Sequence, residues 1–272
     1  MGRKKGMSEM ECEFARVETQ GHVTVVTINR PEALNALHLP ASQELDQIFN
    51  RFAEDPEAWV AIITGAGDRA FCTGNDLKWL AQHGRKALHG GLALLKGGWG
   101  GITKRYDCFK PIIAAVNGFA LGGGFELALA CDIIIAAENA SFALPEPRVG
   151  QMAALGGVHR LPMQIPFHHA MGLILTGRRI TAQEAFRLGI VNEVVPGREL
   201  MTAAHHWATE VLECAPLAVR ASKEAALEGL HLPYREAIGK AYRGYLAMLE
   251  SEDYLEGPRA FAAKRKPDWK GR

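Results

Sequence analysis

The sequence predicts an α/β protein. Three observations carry that prediction: four short runs rich in Val and Ile, a stretch of helical apolar spacing between the first two, and a C-terminal third where helical spacing takes over. HVTVVTI (residues 22–28) is the first run and is followed by Asn29, as a strand entering a turn would be. PASQELDQIFNRFAED then sets Leu45, Ile48, Phe49 and Phe52 on one helical stripe, with Pro40 or Ser42 near its start. WVAIITG (59–65) is the second strand, and the Gly-containing turn of RAFCTGNDLKWL leads from it into a helical pattern. PIIAAVNG (111–118) is the third, and LGGGFELALA behind it must begin a helix on Gly122, Gly123 and Gly124. DIIIAA (132–137) is the fourth. Beyond about residue 165 no clear strand remains. There TAQEAFRLG has a Thr181 cap, Glu184 three residues on and Gly189 at its end, while Leu200, Ala204, Trp207, Ala208 and Val211 form a single stripe.

With 272 residues, 48% of them hydrophobic, the chain can bury a sizeable core. Lys and Arg total 31 against 30 Asp and Glu, a net charge of +1, so no overall field recruits nucleic acid. The five cysteines (Cys12, Cys72, Cys108, Cys131 and Cys214) are odd in number and never spaced C-x-x-C, which fits a reducing cytoplasm better than a disulfide framework or a zinc site. No apolar run reaches the roughly 18 to 20 residues of a membrane helix. MGRKKG is basic but lacks the apolar segment of a secretory signal, and Met7 is an alternative start, so residues 1–12 read as a disordered arm or an expression remnant.

The three glycines raise the question of chemistry. A helix start presents unpaired N–H groups, and glycines there clear the approach for a ligand. An oxygen that gains charge during a reaction could be held there, and the turn around Gly74 could supply a second N–H; two such donors make an oxyanion hole. Glu126 falls in the first turn of that helix between Phe125 and the apolar LALA, where a carboxylate must be solvated, paired or functional. Glu146 sits between Pro145 and Pro147 in SFALPEPRVG, its backbone fixed from both sides. Held opposite Glu126 it completes a carboxylate pair able to handle a water and a proton separately.

With these residues in view, the chain resembles the enoyl-CoA hydratase/isomerase (crotonase) superfamily from about residue 14 to its end. The resemblance rests on INRPEALNAL, AIITGAGDRAFCTGNDL, KPIIAAVNGFALGGGFELALACDIIIAAENASFALPEPRVG and EGPRAFAAKRKPDW. It implies a spiral of β-β-α turns over residues 13–200. Residues 201–272 would form a helical region used in oligomerisation, as a homotrimer or dimer of trimers, and in covering CoA. It also implies a CoA thioester substrate, so that CoA enters as part of the substrate and no other cofactor is needed. Carried over residue by residue, the oxyanion hole is the backbone N–H of Asn75 and of Gly123. Glu126 activates the water that attacks Cβ, and Glu146 exchanges the proton at Cα. CoA lies along RPEALNAL, with Ala33 and Ala36, and along the turn of Thr73, Gly74, Asp76, Leu77 and Lys78, with Gly122 beside it. Phe261 and Lys264 match positions that cover the adenine end, often from a neighbouring subunit.

This sequence departs from the family pattern in three places. Asn75 stands where many hydratases have Ala. QMAALGGVHRLP puts Ala154 and Leu155 where a backbone N–H usually steadies the water. ALHGGLALLKGGWGGITKRY, with its six glycines, fills the region that shapes the acyl pocket. The ending SEDYLEGPRAFAAKRKPDWKGR and the phrase SFALPE are similar to the carnitinyl-CoA dehydratase branch. Reversible hydration of 2-enoyl-CoA is the expected reaction, with carnitinyl-CoA dehydration or enoyl-CoA isomerisation as alternatives and a non-catalytic RNA-binding relative as the reading from another class. Two retained glutamates and a near-zero net charge favour hydration. TGAGDRA only mimics a dinucleotide fingerprint, since FCTGND does not continue a helix. Adjacent histidines on a helix point in different directions, so His168-His169 and His205-His206 read as surface or interface residues, and Met152, Met163 and Met171 are explained as well by packing.

Overall fold

The computed structural model describes residues 11–272, so the arm expected over residues 1–12 lies outside the described residues but for its last two positions. Among the described residues the strands form two sheets. β1 (Ala15–Gln20) and β2 (Val23–Ile28) form a hairpin, and α1 (Leu39–Glu54) follows. From there the chain climbs by a repeated step, one strand in each sheet and then a helix. The steps are β3 (Val60–Gly65), β4 (Ala70–Cys72) and α2 (Leu77–Leu92); then β5 (Ile112–Val116), β6 (Phe119–Leu121) and α3 (Gly123–Leu129); then β7 (Ile133–Ala137), β8 (Ser141–Ala143) and α4 (Gly157–Gln164). With β9 (Ile180–Thr181) and β10 (Glu193–Val195) added, β1-β2-β3-β5-β7-β10 is the order of the large sheet and β4-β6-β8-β9 that of the small one. This is the β-β-α spiral that the resemblance implies.

Asparagines tie one corner of the spiral to the next. Asn117, between β5 and β6, donates to the carbonyls of Gly65 (2.9 Å) and Gly67 (2.7 Å) in the corner below. Asn139, between β7 and β8, donates to the Asn117 carbonyl at 3.3 Å. A backbone turning sharply between sheets leaves carbonyls that no ladder satisfies, and a side-chain amide supplies the missing donors.

β3 is buried along its whole length, as a parallel interior strand covered on both faces must be. Val26, Ile28, Ala61, Ile63, Ala114 and Val116 face the main core, which they share with α1, α3 and the small sheet. Their alternates Val60, Ile62, Ile113, Ala115 and Ile135 face the other way and are covered by Leu200, Ala204 and Ala208 of α7 (Leu200–Leu212). α5 (Phe167–Thr176) and α6 (Ala182–Arg187) close the small-sheet side, and Thr181 and Glu184 form the expected capping box. α8 (Pro216–Gly229), α9 (Tyr234–Gly239), α10 (Arg243–Leu249) and α11 (Glu252–Ala262) complete the chain. None of the described helices is long and apolar enough to cross a membrane.

One expectation needs correction. Strands do continue past residue 165: β9 (Ile180–Thr181) pairs antiparallel with β8, and β10 (Glu193–Val195) pairs parallel with β7. Two or three residues are too few to show a period of two, so neighbouring strands rather than local pattern make them strands. α1 has Pro40 and Ser42 near its start as expected, and its cap is the His38 ring nitrogen, which accepts from the Ala41 N–H at 3.1 Å.

Candidate active site

The site gathers where α3 begins. Gly122 caps it at φ 55°, a left-handed conformation that costs a side-chain-bearing residue dearly. Each of the three glycines faces a different wall. A Cβ on Gly122 would stand 2.8 Å from the Glu146 carboxylate, one on Gly123 2.9 Å from the Trp99 ring, and one on Gly124 1.9 Å from the Cys72 carbonyl of β4. The absent side chains therefore make room for a carboxylate, an indole and a close helix–strand contact.

Two backbone donors meet at the same place. Gly74 lies so close that a Cβ there would touch the Gly123 nitrogen at 2.9 Å. Asn75 pairs with Leu37 in an isolated bridge whose hydrogen bonds run from the Leu37 N–H to the Gly74 carbonyl and from the Asp76 N–H to the Leu37 carbonyl. That pattern leaves the Asn75 N–H out of the bridge. The Gly123 N–H, at the first helical position, has no carbonyl in its own helix to bond.

Several bonds join the segment 30–37 to the turn 73–78. Thr73 Oγ1 donates to the Leu34 carbonyl at 3.2 Å, and Arg30 pairs with Asp76 at 3.0 Å while also donating to the Ala36 carbonyl. Asp76 caps α2 through the Trp79 N–H, and these bonds hold its carboxyl below the usual range although burial opposes them. Ala33 is half-buried, Ala36 is buried, and Leu77 and Lys78 are exposed at the start of α2. Asn35, which lies unmarked within RPEALNAL, binds the Ala66 and Ala70 carbonyls and fixes the corner beneath the turn. Phe261 and Lys264 are not brought to this group. Both are exposed at the end of α11, Phe261 by 87%.

Glu126 is 1% exposed. Its Oε1 accepts from the Leu155 N–H at 2.7 Å and the Gly157 N–H at 2.8 Å, which fixes the carboxylate and leaves Oε2 with no partner among the described residues. Burial pushes its pKa up to about 7, and the nearby Glu146 charge adds to the rise against the two N–H donors. Glu146 stands in a short 3-10 turn, Glu146–Val149, with its Oε2 buried and unpartnered, and burial raises its pKa as well. Two carboxylates that hold protons unusually well, one pinned and one unsatisfied, face two unpaired backbone donors. Such a set can take a proton from one atom, give one to another and steady a negative oxygen between them.

Three contributors have roles that sequence reasoning did not assign, although it marked Leu155 as lying where a backbone N–H steadies the water. Leu155 and Gly157 hold Glu126, and the glycine pair opening α4 carries the same signal that marked α3, a helix start with free N–H groups. The Leu155 N–H is thus spent on the glutamate itself. Trp99 is the third, donating from its indole to Asn75 Oδ1 at 2.7 Å, and only its isolation among glycines could have drawn notice. Among the described residues no three His, Cys, Asp or Glu side chains gather as a metal ion would need, and His168 and His169 point into solvent.

Residues 18–272 match the family model described as Enoyl-CoA hydratase/isomerase. Carnitinyl-CoA dehydratase of Proteus mirabilis (strain HI4320) is 47% identical over 258 residues, covering 93% of this chain and 97% of its own length. The crystal structure of enoyl-CoA hydratase from Bacillus anthracis aligns with a TM-score of 0.90 at 37% identity, covering 96% of this chain and 100% of that one. Carnitinyl-CoA hydratase from Mycobacterium avium aligns with a TM-score of 0.75 at 42% identity, over 96% and 100% of the two chains.

Proposed function

The chain belongs to the enoyl-CoA hydratase/isomerase family, and from that premise we propose that it adds water to, and removes it from, the Cα–Cβ bond of a CoA thioester. Similarity to carnitinyl-CoA dehydratase over nearly the whole chain favours the carnitinyl/crotonobetainyl pair as substrate over a general enoyl-CoA. The observation that carries the reaction class is the pair of glutamates with raised pKa beside two unpaired N–H groups.

In the hydration direction Glu126, ionised and held by Leu155 and Gly157, takes a proton from water on its free Oε2. The water oxygen bonds to Cβ, and the π electrons pass through Cα to the thioester oxygen, which becomes an enolate. The N–H groups of Asn75 and Gly123 hold that oxygen, and protonated Glu146 delivers its proton to Cα as the carbonyl re-forms. Dehydration is the same path reversed. Each donor stabilises the developing charge by about 3 kcal/mol in a dry site. In this reading CoA arrives with the substrate along 30–37 and 73–78, no separate cofactor enters a step, and five unpaired cysteines fit a cytoplasmic enzyme.

Loss of the conjugated enoyl-thioester ultraviolet absorbance tests it, with crotonyl-CoA and crotonobetainyl-CoA offered to the wild type, Glu126→Gln and Glu146→Gln. The wild type is expected to consume crotonobetainyl-CoA with the higher kcat/KM, and each variant to lose about 100-fold or more. A folded wild type that turns over neither thioester would overturn the proposal, and preference for crotonyl-CoA would return the substrate to a plain enoyl chain.

A further inference from the structure

Trp99 lies against both of the residues whose backbone donors are assigned above. Its indole N–H reaches the Asn75 side chain at 2.7 Å, and the far edge of its ring lies where a Cβ of Gly123 would stand. The side chain is 1% exposed, so it backs the site from behind instead of lining an open pocket.

The loop that carries it is wedged into place. Gly101 packs so tightly on α1 that a Cβ would lie 2.7 Å from the Leu45 carbonyl, and Gly100 abuts Leu127 of α3. On the α1 side, buried Asp46 accepts from the Gly97 N–H (2.7 Å) and from Arg105 (3.1 Å), while Arg105 also donates to the Gly101 carbonyl at 2.8 Å. Thr103 Oγ1 donates to the Trp99 carbonyl at 2.9 Å. On the other side, Arg160 donates to the carbonyls of Thr103 (2.8 Å) and Leu155 (3.3 Å), the latter belonging to the residue whose N–H holds Glu126. An ion pair with both partners buried is costly to build for stability alone, and here it fixes where one loop ends.

We propose that Trp99 is a positioning residue that sets the spacing between the Asn75 and Gly123 N–H groups by bonding to the Asn75 side chain and bearing against Gly123. The proposal rests on the functional reading above and adds what holds its oxyanion hole in shape. Without the indole bond, the Asn75 turn is tied through the Leu37 bridge, the Arg30–Asp76 pair and the Thr73–Leu34 bond, none of which reaches Gly123. The donors then need no large movement to lose effect, since misplacement by about 1 Å costs up to 100-fold in an oriented reaction.

The test reads the oxyanion hole directly. 4-(Dimethylamino)cinnamoyl-CoA carries a push–pull enone whose absorption band moves to longer wavelength when its thioester oxygen is polarised. Its band shift is measured on the wild type, Trp99→Phe, Asn75→Ala and the double variant, beside kcat and KM for crotonyl-CoA. Trp99→Phe removes the donor to Asn75 and also draws the ring edge back from Gly123, whereas Asn75→Ala removes the bond alone and keeps its backbone N–H.

Each single variant is expected to lose much of the band shift and about tenfold in kcat, with KM within about twofold. The double variant is expected to fall no further than Trp99→Phe, because that substitution already removes the bond that Asn75→Ala removes. An undiminished shift in both variants overturns the proposal, as does a raised KM with shift and kcat intact, which would make Trp99 a pocket wall. Should Trp99→Phe fail to fold, Asn75→Ala carries the test alone. Where crotonyl-CoA is not turned over, the band shift decides. A wild type that neither shifts the band nor turns over any thioester overturns the functional reading itself, whereas a wild-type shift unchanged in the variants overturns only the role of Trp99.

Discussion

Glu126 keeps its charge at a place that disfavours charge, and the consequence is readable in both activity and stability. Its pKa of about 7 lies above the ordinary 4.5, chiefly through burial. As the base for hydration it must be ionised, so kcat/KM is expected to fall about tenfold per pH unit below about pH 7, measured with the ultraviolet assay. Stability runs the other way. Between 4.5 and about 7 the folded chain holds a proton that the unfolded chain has released, so stability falls as pH rises through that window and levels off above it. Glu126→Gln keeps the shape and an acceptor for Leu155 and Gly157 but carries no charge to bury. It is expected to be more stable than the wild type by up to about 3 kcal/mol at pH 8, the gain shrinking to nothing below about pH 4, in denaturant melts at the two pH values. A Gln variant that is inactive and no more stable at pH 8 would count against the buried charge as the cause. Glu126 was legible in the sequence because a carboxylate inside an apolar helix turn stands out from its neighbours. Leu155 was marked only by the resemblance, as lying where a backbone N–H steadies the water; that its N–H goes to Glu126 was not legible, since any residue type would supply one.

At the scale of elements, LGGG marks both a helix start and a crowded junction, and sequence discloses only the first. That α3 begins at these glycines follows from their place between a strand and an apolar helical stripe. What each faces depends on β4, on Glu146 and on the Trp99 loop, all distant in sequence. The strands divide in the same way. β2, β3, β5 and β7, five or six residues long and rich in Ile and Val, were legible, whereas the three-residue strands β4, β6 and β8 exist because the spiral stacks them. Two glycines separate the crowding effect from helix propensity. Gly124→Ala would press a methyl to 1.9 Å from the Cys72 carbonyl, which is backbone and can yield only if α3 moves off β4. It is expected to lower stability by about 3 kcal/mol or more and to disturb both donors at the helix start. Gly172→Ala, inside α5 with nothing within 4 Å, is expected to raise stability by about 0.5–1 kcal/mol. Thermal unfolding of the two variants side by side checks the pair, and equal effects would mean that packing at α3 is looser than the geometry implies.

At the scale of the whole molecule, the last four helices carry more exposed apolar surface than a lone chain tolerates well. Tyr234 is 79% exposed, Ile238 71%, Leu230 59% and Leu246 49%, and together they lie on α9, α10 and the turn leading into them. α7 differs: its stripe is used up on the large sheet, so the uncovered surface belongs to the helices after it. Scattered exposed leucines are ordinary, but clustered aromatic and aliphatic side chains mark a surface that another protein covers. A second copy of this chain is the partner we expect, in an assembly of three or six, and the same assembly would give Phe261 a use. At 87% exposure its ring packs on nothing in its own chain, and a ring offered to the adenine of CoA held by a neighbour would rest against an aromatic face. Light scattering on the eluting protein is expected to give three or six times the mass of one chain, and Ile238→Asp to reduce it. Phe261→Ala, which leaves the assembly intact, is expected to raise KM for the CoA thioester severalfold with kcat held, because the adenine end binds equally in ground and transition states. If the wild type elutes as a single chain yet turns over substrate, the exposed helices serve some other partner and Phe261 has no neighbour's site to complete. If it assembles but Phe261→Ala leaves KM unchanged, the helices hold the subunits together without reaching into one another's CoA seats.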